Sequence, residues 1–417
     1  MRISNNMMYQ NSVNKILEGQ QGVVNAQERV TTGKKYLSTS ESPSAYSQAA
    51  LYTNKIQTNE QYTKNINQLN NRLNTEEAVL SSITDAIQRA QTLTIQAGNG
   101  TLNASDKASI GNELEELQQT ILSLMNTRSE DGKYIFSGYQ DSTQPYQFDT
   151  STGKYTYRGD QGQHSITIAE GVSIKSSDNG FNTFEMVNAR LNVESNTATT
   201  TGAITASVFV DSQAEFDAFH KQNYNYDPSA SASANTYTVR VTAGATTSDP
   251  DEYEILRDGA ALVPAQTGTV SENGQINFAG LNIEYSGAAP GDINFTLEKP
   301  QKENVLNTLE SLIQGLNDPT LNNREYRQVL SDATTQLGNA NEQVVFTQSS
   351  LGGRMNAVSA ISDSNKASDI QNHASRANLV EVDMAEAINE LTKQETALQA
   401  SQATFGRLAN LSLFDYL

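Results

Sequence analysis

The chain has 417 residues with no cysteine, which excludes disulfide frameworks, thiol nucleophiles and cysteine metal sites. Its formal net charge of −19 disfavours binding to nucleic acid or to an anionic membrane surface. No apolar run is long enough to predict a membrane span.

The N-terminal segment carries a heptad pattern that predicts a coiled-coil helix. The pattern alternates steps of three and four residues through Val13, Ile16, Gln20, Val23, Gln27 and Val30. We call these six positions the N-terminal seam. The two glutamines weaken such a seam and favour one register, so the helix is predicted to be marginal alone. It is predicted to end at Thr32-Gly33, because glycine favours the end of a helix. The first ten residues lack an apolar signal-peptide core, so we expect no cleaved secretory signal.

A second helix is predicted from Ser44 to about Ala97, because the same alternation continues to the Gly98-Asn99-Gly100 segment. At 1.5 Å per residue it would be roughly 80 Å long, which no compact domain requires. A further apolar stripe from Ile110 to Leu124 predicts a helix that returns along it, as a helical hairpin.

Strand patterns replace helical ones after Asp131-Gly132, where apolar and polar residues begin to alternate. From Ser195 to Lys299 the composition favours a separate β-rich domain, with a turn predicted at Asp258-Gly259. This stretch has thirteen acidic and four basic residues, which is typical of a soluble, outward-facing lobe.

Helical patterns return from Val305 onward, and the chain closes with a second heptad seam. Asp383 is placed to cap its helix. The C-terminal seam consists of Met384, Ile388, Leu391, Glu395, Leu398, Gln402, Phe405 and Ala409.

The patterns together predict a multi-domain α+β fold. Its long terminal helices pair as a coiled coil, and a β-rich insert lies between them in the sequence. The predicted domains are residues 1–43 with 384–417 for assembly, 44–190 with 300–383 as a helical bundle with a β-hairpin, and 191–299 as an acidic outer domain.

Opposite charges favour pairing of the two ends. Residues 1–35 hold five basic and two acidic side chains, whereas residues 379–417 hold two basic and six acidic ones. Exposed ion pairs contribute only about 0 to 1 kcal/mol each, so charge alone does not stabilise the paired helices. We therefore expect the apolar seams to be covered by neighbouring copies of the chain. We therefore predict ends that are disordered in the monomer and fold on assembly.

The sequence offers no site for catalysis, cofactors or metals. His164, His220 and His373 lack the local spacing of a metal site, and no nucleophile motif is present. Gly33-Lys34 resembles the end of a phosphate loop, but Glu28 stands where its first glycine is needed. We therefore expect a structural protein rather than an enzyme.

Several segments resemble the flagellin family. They are MRISNNMMYQNSV, QERVTTGKKYLSTSESPSAYSQA, DGKYIFSGYQ, YRGDQGQHSITIAEG and VDMAEAINELTKQETALQASQATFGRLANLSLFDYL. They cover both ends of the chain and the first strands. The opening MRIS and the closing SLFDYL are more similar to the hook-associated proteins of the hook–filament junction than to filament flagellin.

This resemblance implies a structural subunit of the bacterial flagellum, outside the cell and exported by the flagellar type III apparatus. It implies as partners the hook-associated protein FlgK, flagellin, further copies of the chain in a ring, and an export chaperone similar to FlgN on the C-terminal helix. From the charge and the lack of site motifs we expect no cofactor, nucleic acid or membrane partner. The alternatives are filament flagellin itself and a flagellin-like secreted adhesin that binds through the β-rich insert.

Overall fold

The computed structural model describes residues 2–227, 229–231, 233–246 and 249–414, with side chains described from residue 7 to residue 407 within these ranges. The side chain of the predicted seam position Ala409 and the whole of Asp415, one of the six acidic residues counted near the C-terminus, lie outside them.

The helices are long at both ends of the chain and short in its middle. They are α1 (Arg2–Thr32), α2 (Pro43–Ala97), α3 (Ala104–Met125), α4 (Gln213–Asn223), α5 (Val305–Asn317), α6 (Asn323–Val380) and α7 (Met384–Phe414), with a π-helix at Phe181–Glu185. Glycine follows α1 and α2, and Gly33 has a φ of +68°, a conformation that ends a helix without strain. The Asp383 carboxylate accepts a hydrogen bond from the N–H of Ala385 at 2.8 Å, which confirms the predicted cap of α7.

The strands pair with antiparallel neighbours in the first β-hairpin and in both sheets of the insert. The strands are β1 (Tyr146–Asp149), β2 (Lys154–Tyr157), β3 (Ser165–Ala169), β4 (Val172–Lys175), β5 (Thr199–Thr200), β6 (Ala203–Val210), β7 (Thr236–Thr242), β8 (Glu252–Arg257), β9 (Ala260–Thr269), β10 (Gln275–Phe278), β11 (Leu281–Ala288) and β12 (Gly291–Thr296). β1–β2 and β3–β4 are hairpins, and the remaining strands form sheets of order β10-β11-β6 and β5-β12-β7-β8-β9. The helix–strand–helix order and the paired end helices confirm the predicted α+β fold class.

The chain divides into two compact units. The first comprises Met1–Asn71, Ile166–Ile174 and Arg354–Leu417, and the second comprises Arg72–Ser165 and Lys175–Gly353. These boundaries differ from those of the three predicted domains, so the three-way division stays a prediction.

In the first unit, asparagine side chains hold the β3–β4 hairpin between two helices. Asn65 of α2 donates to the carbonyl of Thr167 at 2.7 Å, and Asn365 of α6 donates to that of Ile168 at 2.8 Å. Asn59 in turn donates to the carbonyl of Asn365 at 2.8 Å. The hairpin is thereby attached to both helices through backbone groups, which fix position more strictly than apolar contact.

The β-rich insert, residues 191–299, folds around a core of its own. Its two sheets enclose a cluster of buried side chains whose members all lie between Val193 and Leu297, among them Val208, Val239 and Ile283. The turn at Asp258-Gly259 joins β8 to β9 with both φ angles positive, as predicted. Helix α4 was not predicted: the alternating pattern around it gave no helical signal, yet Phe216 and His220 on one face are fully buried.

Candidate assembly surface

Helices α1 and α7 pack against each other in antiparallel fashion. The rings of Tyr9 and Phe405 lie 5.1 Å apart, centroid to centroid, so the start of α1 lies beside the far end of α7. Beyond the helix ends, the N–H of Lys35 donates to the carbonyl of Val380 at 2.8 Å. The ends of the chain thus meet within one subunit.

Small residues close the contact between the two helices. A Cβ atom added at Gly19 would lie 3.3 Å from Cδ1 of Leu398, and one added at Gly22 would lie 2.9 Å from Oε1 of Gln394. Ala26, one turn beyond Gly22 on α1, and Ala387, two turns before Gln394 on α7, are also buried. Glycine and alanine allow the helix backbones to approach closely, so the contact depends on the absence of side chains at these positions.

At two of the six positions of the N-terminal seam, the more buried residue is the one that precedes the predicted residue. Val13, Ile16, Val23 and Val30 are partly buried, whereas Gln20 and Gln27 are exposed. The places between helices that the two glutamines were predicted to fill are taken by Gly19 and Ala26. The signal that locates them is the spacing of small residues at 19, 22 and 26, which the heptad pattern of large apolar residues does not report.

The C-terminal seam divides in the same way. Leu391, Leu398 and Phe405 are partly buried, but Glu395 and Gln402 are exposed. Met384 is 46% exposed and Ile388 is 50% exposed, so neither is covered within the subunit. Two residues that the sequence pattern missed are covered instead: Gln394 lies against Gly22 of α1, and Ala387 is buried.

A second set of apolar side chains on these helices points to solvent. Leu17 is 56% exposed and Val24 is 53% exposed, seven residues apart and therefore on one side of α1. We call Leu17, Val24, Met384 and Ile388 the assembly surface. Single exposed apolar residues are common and need no explanation. Here such residues occur on both paired helices, α1 and α7, which indicates a surface for interaction.

Charge acts locally in this region. The ion pairs found on the described side chains join Lys15 to Glu18 and Lys393 to Glu390 within one helix, and Arg29 to Glu41 within the N-terminal segment. The Gln394 amide, with Lys393 and Arg29, lowers the pKa of Glu390. Among the described side chains, the ion pairs of α1 and α7 therefore do not join one helix to the other.

Two of the segments that carry the flagellin resemblance meet in the second unit. Asp160, in YRGDQG, accepts hydrogen bonds from the N–H of Tyr139 at 2.8 Å and from that of Gly162 at 2.7 Å. Gly138 has a φ of +73°, and a Cβ added there would lie 2.5 Å from the Asp160 carbonyl oxygen. The two loops fit together only because Gly138 has no side chain.

The described residues contain no cluster of three or more side chains suited to hold a metal ion. His164 lies just before β3, His220 is on α4 and His373 is on α6. His220 is fully buried and hydrogen bonds through Nε2 to the carbonyl of Glu298 at 2.8 Å, and burial lowers its pKa. Over the described ranges, no helix combines the length and apolar character needed to cross a bilayer.

Both ends of the chain match known protein families. The bacterial flagellin N-terminal helical region matches residues 3–141, and the bacterial flagellin C-terminal helical region matches residues 334–417. The chain belongs to the bacterial flagellin family. The matched regions contain α1 and α7, the two helices that build the assembly surface.

Individual flagellin-family proteins share parts of this chain. The flagellar hook-associated protein 3 of Escherichia coli strain K12 is 38% identical over 155 residues, which are 37% of this chain and 48% of that protein. This flagellin-family chain therefore spans about half the length of the curated relative it matches. Phase 1 flagellin of Salmonella naestved is 28% identical over 148 residues, which are 36% of this chain and 28% of that protein.

A solved structure has the same fold. The flagellar junction protein FlgL from Legionella pneumophila aligns with 80% of this chain and 99% of its own, with a TM-score of 0.57 and 22% identity. At this identity the likeness concerns the fold of the flagellin-family chain.

Proposed function

We propose that this protein is a structural subunit of the bacterial flagellum that forms the junction between the hook and the flagellin filament. It would contact FlgK on the hook side, flagellin on the filament side, and further copies of itself around a ring. It needs no active site for this role, because its function is to be built into a fibre.

The observation that carries the proposal is the sparse burial of the α1–α7 pair. Among the described residues of these two helices, only Ala26 and Ala387 are fully buried. An alanine contributes little on burial, whereas a fully buried Val, Ile, Leu or Met side chain contributes about 1.5 to 3 kcal/mol. The pair alone is therefore weak, and covering the assembly surface with neighbouring subunits would supply the missing stabilisation.

The choice of the junction over the filament is supported by similarity. Identity to the hook-associated protein 3 of Escherichia coli is 38%, against 28% to a flagellin, over stretches of nearly equal length. The fold is also that of a solved flagellar junction protein.

We further propose export through the flagellar type III apparatus to a position outside the cell. Met384 and Ile388 on α7 would be exposed before assembly. An export chaperone similar to FlgN, bound to α7, would shield such residues from aggregation on the way.

The test is electron microscopy of cells that lack this protein, combined with the purified chain in solution. We expect intact hooks without filaments, flagellin released into the medium, and recovery of filaments when the gene is restored. In solution, the chain should form short oligomers that nucleate added flagellin.

Two results would point elsewhere. Polymerisation of the chain without limit would identify it as a filament flagellin. Normal filaments in the deletion strain, with attachment to surfaces lost, would assign it to adhesion through the β-rich insert.

A further inference from the structure

The β-rich insert is joined to the rest of the second unit by a short two-stranded connection. Residues 187–192 run antiparallel to residues 298–303, and we call this pair of segments the neck. The N–H of Ala189 donates to the carbonyl of Gln301 at 3.0 Å, and the N–H of Glu298 donates to that of Asn192 at 2.9 Å. Because the insert has its own hydrophobic core, the neck does not have to hold it folded.

The side chain of a buried arginine in the neck contacts helix α6. The side chain of Arg190 is 2% exposed. Its Nη1 donates to Oε1 of Gln328 at 2.6 Å and to Oδ1 of Asp332 at 2.8 Å, and its Nε donates to Gln213 of α4. This guanidinium therefore touches the neck, the insert and α6 at once.

A second arginine makes the reverse connection, from α6 to the insert. Arg324 pairs with Glu284 of β11 and with Asp211, to which the distance is 3.3 Å. Its guanidinium carbon also lies 4.7 Å from the centre of the Phe209 ring on β6. The polar groups of α6 involved are Arg324, Gln328 and Asp332, spaced four residues apart and therefore on one face of the helix.

Gln328 links the two connections. It accepts from Arg190, and its Nε2 donates to the carbonyl of Val210 at 3.2 Å, a carbonyl that Nη2 of Arg190 also approaches at 3.4 Å. The end of β6 is therefore fixed against α6 by directional hydrogen bonds.

We propose that Arg190 and Arg324 form a lock that fixes the orientation of the β-rich insert on α6, and that the insert turns about the neck when the lock is removed. Buried charged groups lose hydration, so they add little net stability, but their directional bonds select one arrangement over others. Apolar packing would instead have tolerated several orientations. The lock thus determines the direction of the insert rather than its folding.

Distance measurements between spin labels test this, because a chain without cysteine accepts labels only where cysteines are placed. Gln119→Cys on α3 and Thr267→Cys on β9 put one label at each of two exposed positions in the same unit. The labelled full-length chain should give one narrow distance distribution. Adding Arg190→Gln and Arg324→Gln should broaden it at least twofold.

The matched control is Arg240→Gln, which removes an ion pair to Asp292 (3.2 Å) inside the insert. It should leave the distribution narrow. Hydrogen exchange of the β7 amides at Val239 and Val241 reports whether the insert core is intact, and it should be unchanged in all variants. Arg324→Gln alone, at a partly exposed site, serves if the double variant does not accumulate, and should broaden the distribution as well.

Two results would overturn the lock. One is a distribution that stays narrow in the lock variants. The other is broadening accompanied by loss of β7 protection, which would show that the arginines are needed to fold the insert rather than to orient it.

Discussion

Gly22 of α1 lies directly against Gln394 of α7, so closely that a Cβ atom on Gly22 would be 2.9 Å from the Gln394 side-chain oxygen. Three residues earlier, Gly19 is in the same relation to Leu398. These contacts define the distance between the two end helices of the chain, and they make the pairing of the ends testable by substitution.

We predict that Gly19→Leu combined with Gly22→Leu separates α1 from α7. Forcing large side chains into a closed contact costs about 1 to 3 kcal/mol per site, more than the gain in helix propensity of about 1 kcal/mol. Under conditions in which the wild-type chain assembles, helical content measured by circular dichroism should be lower than that of wild type, and nucleation of added flagellin should be lost.

Gly353→Leu is the control for this pair, since nothing lies within 4 Å of a Cβ at Gly353 of α6. It should keep or slightly raise helical content. Equal behaviour of the two variants would mean that the glycine contact does not govern pairing.

Replacing apolar groups of the assembly surface should abolish assembly without unfolding the subunit. Met384→Ser with Ile388→Ser removes side chains that are about half exposed, so the free energy of unfolding should fall by no more than about 1.5 kcal/mol per site, half the value for a fully buried side chain. Filament attachment in cells should nonetheless be lost. Val263→Ser, at a position 98% exposed on β9, is the control and should leave both unchanged. Normal filaments on cells that carry the double variant would remove Met384 and Ile388 from the assembly surface.

Gly138→Ala should destabilise the second unit much more than Gly153→Ala. Both glycines have positive φ, +73° and +67°, so both variants carry the left-handed cost of about 1 to 2 kcal/mol. Only at position 138 does the new Cβ also meet the Asp160 carbonyl, while nothing lies within 4 Å at position 153. The extra overpacking cost is about 1 to 3 kcal/mol. Denaturant titration measures the difference in stability between the two variants. Equal midpoints would show that the loops containing Gly138 and Asp160 move apart at little cost in free energy.

The stability of the insert should fall as the pH drops below about 6.5, through His220. Burial lowers the pKa of His220 in the folded chain, while the unfolded chain keeps the ordinary value of 6.5. Between these two values only the unfolded state binds the proton, so the contribution to stability is full above pH 6.5 and is lost as the pH falls toward the folded pKa.

The measurement is denaturant unfolding of wild type and His220→Gln between pH 8 and pH 5 (about the range in which an ordinary histidine titrates). Burial also raises the pKa of Glu298 and of Asp332, and a raised carboxyl pKa makes stability increase as the pH falls. This contribution is present in both wild type and His220→Gln. The difference between them therefore isolates His220, with a slope of at most about 1.4 kcal/mol per pH unit. A difference curve without pH dependence would show that His220 is protonated equally in both states.

The ordering of the two ends on assembly stays a prediction. It is checked by circular dichroism of the isolated subunit and of assembled oligomers at equal subunit concentration. Helical content should rise on assembly by an amount close to that of α1 and α7. An isolated subunit whose two end helices are already fully formed would contradict it.

The sequence alone determined the helix–strand–helix order of the chain, the ends of its first two helices, the start of α7 and the family. Glycines with positive φ, the cap at Asp383 and the alternation of apolar residues are local signals, since each depends on backbone conformation within a few positions. Such signals located α1, α2 and α7 and the turn at Asp258-Gly259.

The tertiary structure decided which residues of each helix meet. A heptad pattern identifies the apolar side of a helix only to about one position, because the helix drifts by about 20° per heptad relative to that repeat. It therefore favoured Gln20 and Gln27, whereas the close approach of α7 selected Gly19 and Ala26. In the same way, Gln328 and Asp332 are visibly periodic on α6, but their partner Arg190 lies 138 residues from Gln328 in the sequence. Only folding brings such groups together, since their contact depends on shape and distance that no local pattern encodes.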